Sequence, residues 1–176
     1  MSFLIGLDLS LTSTGVSVNG KTSVISTKAR GAERLHIVSS AILDLCSSEK
    51  IVCAIIEGYS FASRNSQAHS IGEMGGAVRM KLWENRIPYV EVPPTCRAKF
   101  ATGKGNAGKS EVVSSISAKT GIIFSGGGGD DECDAWLLEQ MGLTHLNKSE
   151  YQWSEASISS LSKIDWSPLD QVRESM

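Results

Sequence analysis

Four acidic residues stand where their types and spacing could do chemistry. Asp8 lies inside the first apolar stretch of the chain, and Glu57 ends a second one. Asp131 and Asp134 come later and are three residues apart, so on a helix both project from one face. A carboxylate within an apolar strand loses its hydration and needs a cation, hydrogen-bond donors or a proton. The four acids therefore indicate a metal or catalytic site.

Structural roles for the same acids stay open at this point. Asp8 could cap a turn at the end of its strand. The acids at 130–132 suit the N-terminal dipole of a helix, so any one of them could be a cap. Asp130 could also take the place of Asp131 in the site, but only Asp131 has the three-residue spacing to Asp134.

A group of four carboxylates limits which chemistry is reasonable. Without cations among them, such groups repel one another and raise one another's pKa values. Hard divalent cations such as Mg²⁺ take oxygen ligands. Two such ions about 4 Å apart can stabilise the attacking and leaving oxygens of a phosphodiester. The set is therefore suited to holding two Mg²⁺ ions and to chemistry on a phosphodiester.

Hydrophobic periodicity predicts the elements that must position these acids. Apolar residues alternate with period two along the first strand, and Asn19-Gly20 is the strongest short signal for a hairpin turn. Other segments show helical spacing or are apolar throughout, as in a covered central strand. The predicted elements are strands at 3–10, 16–18, 22–27, 51–57 and 89–92, and helices at 35–45, 69–84, 110–120 and 130–141.

This order of elements predicts an α/β fold. Three antiparallel strands followed by alternating helices and strands imply a mixed five-stranded sheet with helices on both faces. If the first and fourth strands are neighbours, the last helix can bring Asp131 and Asp134 against Asp8 and Glu57. We expect one core domain at 1–142, followed by a polar, acidic C-terminal extension at 143–176.

The net charge of −2 conceals an uneven distribution of charge. The segment 64–109 has eight Lys or Arg and three Asp or Glu, whereas 130–176 has three basic and ten acidic residues. A basic middle beside an acidic cluster suits a polyanion bound next to a metal site. Ordinary scatter of charge over solvated faces is the alternative.

Composition places the chain among soluble proteins. No apolar run approaches the roughly 20 residues that span a bilayer, so no membrane association is expected. The four cysteines are far apart and form no C-x-x-C pair, which argues against a zinc site or a disulfide framework. With no signal-peptide pattern at the start, a cytoplasmic location is the expectation.

Taken in order, these segments resemble the RuvC-like Holliday junction resolvases of the ribonuclease H-like superfamily. The resemblance covers about residues 3 to 142. The motifs that carry it are Ile5-Gly6-Leu7-Asp8 with Thr14-Gly15, Ile55-Ile56-Glu57, Ile71-Gly72-Glu73-Met74-Gly75-Gly76, Lys104-Gly105-Asn106-Ala107-Gly108-Lys109 and Asp131-Glu132-Cys133-Asp134-Ala135. The resemblance implies a ribonuclease H-like fold and a Mg²⁺-dependent endonuclease for branched DNA, a homodimer that acts in DNA recombination and repair.

The resemblance also implies roles for individual residues. Asp8, Glu57, Asp131 and Asp134 would be catalytic metal ligands, with Lys109 near the scissile phosphate. Either Tyr59 or Phe61 would stack on bases at the junction centre, although core packing is an equal alternative for both. The expected DNA contacts are therefore the basic residues and these aromatics: Arg64, Arg97, Lys99, Lys104, Lys109, Tyr59 and Phe61.

Other functions are also compatible with the sequence. A ribonuclease or exonuclease on the same fold is the main enzymatic alternative, since a fold alone does not choose a substrate. Residues 103–110 also match the phosphate-loop pattern G-x-x-x-x-G-K-[ST], which would indicate nucleotide binding. That motif needs a buried strand immediately before it, and the segment from Pro94 to Phe100 does not read as one.

Overall fold

A mixed five-stranded sheet forms the centre of the computed structural model, which describes residues 2–58 and 67–175. The strands lie in the order β3-β2-β1-β4-β5. β1 pairs antiparallel with β2 and parallel with β4, while β5 continues the parallel half. This confirms the predicted architecture. The strands are β1 Phe3–Asp8, β2 Thr14–Val18, β3 Lys21–Ile25, β4 Ile51–Glu57 and β5 Tyr89–Val92.

Helices cover both faces of this sheet. The two long helices α1 and α2 pack on one face, and the helices from α3 onward contribute to the core on the other. Their bounds are α1 Gly31–Ser48, α2 Gln67–Glu84, α3 Pro94–Thr102, α4 Lys109–Thr120, α5 Gly129–His145, α6 Glu155–Leu161 and α7 Ser167–Asp170, followed by a 3₁₀ turn at Arg173–Ser175.

The period-two pattern of β1 decides which side chains enter which core. Ile5 and Leu7 are buried against α1 and α2. Leu4 points to the opposite face and is buried with α5. Because successive side chains alternate across a strand, Gly6 and Asp8 belong to the same face as Leu4. Asp8 is therefore on the face that α5 covers.

The hairpin between β2 and β3 forms as its sequence predicts. Asn19 and Gly20 both have positive φ, at 51° and 72°. A type I′ turn requires positive φ at both central positions, which Asn and Gly tolerate best. The turn fixes the register in which Val18 pairs with Lys21 and Thr14 pairs with Ile25.

Helix α3 was not predicted from the sequence pattern, and neither were the short helices α6 and α7 of the extension. It begins at Pro94, where proline is favoured because the first helical N–H needs no partner. It ends at Gly103, whose φ of 82° is left-handed. Five of its nine residues are buried, and the charged Arg97 is one of them, so the contrast between an apolar and a polar face that makes a helix visible in a sequence is weak. The phosphate-loop segment 103–110 thus follows a helix and lacks the strand that nucleotide binding requires.

The C-terminal extension packs against the same core as the helices before it. Trp153 lies against Phe100 of α3, with ring centroids 4.2 Å apart. Trp166 stacks on His145 at 4.7 Å, and its Nε1 donates to the carbonyl of Leu161. Trp166 and Leu169 are both buried in the core cluster of α3, α4 and α5. The division at residue 142 stays a prediction, and across it the two segments share one hydrophobic core.

Two further sequence expectations concern cysteines and membranes. All four cysteines are buried and free of disulfides. Burial raises the pKa of the Cys46 and Cys53 thiols to about 12, so both stay protonated near neutral pH. Within residues 2–58 and 67–175, no helix has the length and apolar character needed to cross a membrane.

Candidate active site

Asp8 and Glu57 end two adjacent parallel strands. Leu7 of β1 is paired with Ile56 of β4, so the next position along each strand is Asp8 and Glu57 respectively. Asp8 also pairs with Gly15 of β2 across the antiparallel half of the sheet. Because parallel strands share a direction, both carboxylates emerge at one edge of the sheet. This is the arrangement that the sequence predicts if β1 and β4 are neighbours.

Helix α5 brings the other two acids to this edge because glycines let it approach the sheet closely. A Cβ at Gly6 would lie 2.0 Å from the carbonyl oxygen of Ala135, and one at Gly15 would lie 2.0 Å from that of Asp131. Any side chain at either position would push the helix away. These two glycines are therefore what allows Asp131 and Asp134 to reach β1, a role that sequence reasoning missed.

A buried carboxylate further along α5 anchors the helix to the β2–β3 hairpin. The hydroxyl of Ser17 donates to Glu139 at 2.5 Å, and the backbone N–H of Gly20 donates to it at 3.1 Å. Burial raises the pKa of Glu139, while these donors work to lower it. Sequence reasoning missed this contact as well, since 122 residues separate Ser17 from Glu139.

Arg97 lies between two of the four acids. Its Nε donates to Glu57 Oε2 at 2.6 Å, its Nη2 donates to Glu57 Oε1 at 3.4 Å, and its Nη1 donates to Asp134 Oδ1. Arg97 is 8% exposed and Asp134 is 2% exposed. Burial works to lower the pKa of Arg97, but the charges of Glu57 and Asp134 overcome it, and the guanidinium pKa is raised. Arg97, which was predicted from the sequence to contact DNA, is thus held among the acids of the site.

Asp8 lacks the partner that Glu57 and Asp134 have. None of the described residues donates a hydrogen bond to its carboxylate. Burial, then the negative charges of Glu57 and Asp134, raise the pKa of Asp8 to about 8. For Asp134, burial again leads and Arg97 opposes it, giving a pKa of about 6. A buried acid without a donor is the one most in need of an added cation.

Lys109 and two acids form the outer rim of the cluster. The ammonium lies 2.9 Å from Asp130 Oδ2 and 3.3 Å from Asp131 Oδ1. Burial works against its charge, yet the hydrogen bond to Asp130 and both acids raise the pKa of Lys109. The same hydrogen bond lowers the pKa of Asp130. Asp130, which the sequence left as a substitute for Asp131, is about half exposed, whereas the Asp131 side chain is mostly buried.

The donor chemistry of these acids fits a hard divalent cation. All four predicted ligands present carboxylate oxygens, which Mg²⁺ prefers, and among the described residues no basic side chain forms an ion pair with Asp8. Within the described residues, however, no cluster of three or more acidic, histidine or cysteine side chains is already arranged to hold an ion. Arg97 instead contacts Glu57 and Asp134, and Lys109 contacts Asp131.

The remaining predicted site residues are placed as follows. Lys99 is half-buried on α3, and Lys104 is exposed after it, 3.1 Å from Glu111. Tyr59, Phe61 and Arg64 lie outside the described residues. The stacking aromatic therefore stays a prediction, as does the role of Arg64.

The chain is similar to known proteins in sequence and in fold. No family model matches the chain. The chain is 31% identical over 153 residues to the crossover junction endodeoxyribonuclease RuvC of Carboxydothermus hydrogenoformans, covering 81% of this chain and 96% of that relative.

Two solved structures extend the likeness to three dimensions. Thermus thermophilus RuvC matches with a TM-score of 0.65 and 20% identity, covering 85% of this chain and 99% of that one. The T. thermophilus RuvC complex with a Holliday junction substrate also gives 0.65, at 17% identity, covering 86% and 100%. These matches confirm the predicted ribonuclease H-like fold. Because the chain is 31% identical to the C. hydrogenoformans protein over most of both sequences, it belongs to the RuvC family of crossover junction endodeoxyribonucleases.

Proposed function

We propose that this chain is a metal-dependent endonuclease that resolves Holliday junctions through water attack on a phosphodiester. The observation that carries the proposal is the meeting of Asp8, Glu57, Asp131 and Asp134 at one edge of the sheet. Membership of a family of crossover junction endodeoxyribonucleases supports a structure-selective enzyme of DNA recombination and repair. The solved complex of a related RuvC with a Holliday junction supports branched DNA as the substrate.

Asp8, Glu57, Asp131 and Asp134 would hold two Mg²⁺ ions, which Mn²⁺ can replace. Bound ions of this kind activate water and stabilise the leaving oxygen of a phosphodiester. The protein contributes the positions of the carboxylates, which two strand ends and α5 fix. Asp8 is the central ligand in this proposal, because it is buried beside Glu57 and Asp134 and has no donor of its own among the described residues.

Lys109 is the proposed catalytic cation. Its ammonium is 58% exposed, yet it contacts Asp131, so it borders both the solvent and the acid cluster. A positive charge at that border can face the phosphate and stabilise the negative charge that develops during attack.

DNA binding is proposed for the basic residues around α3 and for the aromatics before α2. Lys99 and Lys104 would contact phosphates together with Arg64, and Tyr59 or Phe61 would stack on bases. Arg97 could reach DNA only after leaving Glu57 and Asp134, since all three of its hydrogen-bonding nitrogens are used there.

A homodimer is proposed because a four-way junction has two equivalent strands to cut. Gly76, Met80 and Trp83 fall on one side of α2 by helical spacing. Met80 is 53% exposed and Trp83 is 77% exposed. A Cβ at Gly76 would meet nothing within 4 Å among the described residues. Packing inside the described part of the chain therefore does not account for this glycine, whereas close approach of a second copy would.

Light scattering tests the dimer. Wild type should have the mass of two chains, and a variant with Met80→Glu and Trp83→Glu should have the mass of one. Ile158→Glu, at a similarly exposed apolar residue on α6, should remain dimeric. Wild type with the mass of one chain, both free and on junction DNA, would contradict the proposal.

Cleavage of a labelled substrate panel tests the function itself. In Mg²⁺, wild type should cut a four-way junction and leave a linear duplex and an RNA–DNA hybrid intact. Asp8→Asn should cut nothing while still binding the junction, because the change keeps the shape of the side chain and removes the charge that holds the cation. Asp130→Asn is the matched control and should cut nearly as wild type does. Cleavage by Asp8→Asn at the wild-type rate would rule out the carboxylate site.

A further inference from the structure

Arg97 uses the same oxygens that a divalent cation would need. It takes both carboxylate oxygens of Glu57 and one of Asp134. A carboxylate oxygen in a charge-assisted hydrogen bond with a guanidinium is poorly available to a second cation on the same side. The two occupants therefore exclude each other at Glu57 and Asp134.

The position of Arg97 follows from the packing of α3. The residues around it on that helix, Cys96, Ala98 and Phe100, are buried in the core. They fix the backbone so that the side chain of Arg97 extends into the acid cluster. Its planar fork matches the geometry of a carboxylate, as at Glu57. The arrangement is therefore imposed by the scaffold around α3.

Removing a cation from a buried acid cluster is costly unless another cation replaces it. Asp134 is almost fully buried, and Glu57 lies beside Asp8. With Arg97 in place, two of the three inner carboxylates have a positive partner in the metal-free protein. We propose that Arg97 is a built-in counter-charge that competes with the divalent cation for Glu57 and Asp134, so that cation binding is coupled to release of the guanidinium. This inference rests on the proposed function, since it assumes that these acids hold the cation.

Titration with Mn²⁺ in the absence of DNA tests the competition. Calorimetry on wild type and on Arg97→Gln should show tighter binding in the variant, by about tenfold, since the cation no longer displaces charge-assisted hydrogen bonds. In chelator, Arg97→Gln should melt lower than wild type, and added Mn²⁺ should raise its melting temperature by more than it raises that of wild type.

Two further variants separate competition from a general effect of charge or folding. Arg79→Gln removes an arginine of similar burial whose Nε lies 2.5 Å from Glu91, and it should leave the Mn²⁺ affinity unchanged. Arg97→Lys keeps the charge but loses the planar fork, so its affinity should lie between those of wild type and Arg97→Gln.

The outcomes distinguish this inference from the proposed function. If wild type binds no Mn²⁺, the carboxylate site of the proposed function fails. If wild type binds Mn²⁺ and Arg97→Gln binds it equally or more weakly, only the competition fails. If Arg97→Gln is unfolded in chelator, Mn²⁺ should refold it, as circular dichroism would report. A variant that stays unfolded in saturating Mn²⁺ would show that Arg97 is needed even when the acids have a cation, which also contradicts the competition.

Discussion

The acid cluster has an inner and an outer half, and each half has one basic side chain. In the inner half, Arg97 joins Glu57 and Asp134, and the three side chains are 10%, 15% and 2% exposed. In the outer half, Lys109 joins Asp130 and Asp131, and Lys109 and Asp130 are about half exposed. Pairing of a basic side chain with two acids therefore occurs once where water is mostly excluded and once where the side chains are exposed to water.

Burial decides what each pair contributes. An exposed ion pair is screened by water and salt and contributes little to stability. A buried pair contributes little net energy when complete, but removing one partner leaves an uncompensated charge at high cost. Arg97 should therefore act mainly on the integrity of the site, whereas Lys109 remains available for DNA.

The largest expected difference is in stability. In chelator, Arg97→Ala should lower the free energy of unfolding by about 3 kcal/mol, because Glu57 and Asp134 lose their shared partner. Lys109→Ala should lower it by less than about 1 kcal/mol. Urea denaturation of both variants beside wild type measures the two effects. Equal losses would mean that the inner and outer halves do not differ in the way their burial indicates.

Lys109 should matter more for cleavage than it does for stability. Lys109→Ala should reduce the rate of junction cleavage by about 10²-fold, the scale expected when one charge-stabilising donor is lost. Binding of the junction should weaken far less. Single-turnover cleavage and equilibrium binding on the same substrate separate the two. Equal losses in cleavage and binding would assign Lys109 to DNA binding alone.

Much of the scaffold could be predicted because its signals are local. Period-two alternation places Asp8 on one face of β1, and Asn19-Gly20 specifies its own turn. The position of Asp8 and Glu57 at the same end of the sheet needed only the assumption that β1 and β4 are neighbours. These features depend on residues close together in the sequence or on the standard rules of α/β sheets.

The inner half of the site could not be predicted because its contacts are remote. Arg97 is 40 residues from Glu57 and 37 from Asp134 along the chain. In the sequence it stands among other basic residues, and that pattern favours an exposed phosphate contact. Its burial depends on α3, whose helical period is hidden because the charged Arg97 itself lies on the covered side. The roles of Gly6 and Gly15 likewise depend on where α5 packs, and nothing local reports that.

The pH dependence of stability tests the inner half without any cleavage. Folding raises the pKa of Asp8 from its ordinary value near 4 to about 8, through burial and then the charges of Glu57 and Asp134. Between these two values the folded state binds more protons than the unfolded state, so stability falls as pH rises. Asp8→Asn removes this dependence.

In chelator, Asp8→Asn and wild type should therefore melt at similar temperatures near pH 4. Near pH 8 the variant should melt higher, and the gap should widen steadily as pH rises from 4 to 8. Thermal melts of the two proteins across this range measure the difference. A difference in melting temperature that does not change with pH would mean that folding does not raise the pKa of Asp8.

The smallest effect is expected at Lys104, the most exposed of these basic side chains. Its ammonium is 68% exposed and lies 3.1 Å from Glu111, which is also exposed, so Lys104→Ala should leave stability unchanged. A phosphate contact releases counterions, and its loss should flatten the dependence of log affinity on log salt by about one unit. Lys50→Ala is the matched control, because Lys50 precedes β4 at the end of the sheet opposite Glu57. Junction binding measured over a series of salt concentrations gives both slopes. If the slope for Lys104→Ala equals those of Lys50→Ala and wild type, Lys104 lies away from the DNA. The greater exposure of Lys104 relative to Arg97 would then not indicate a role in DNA binding.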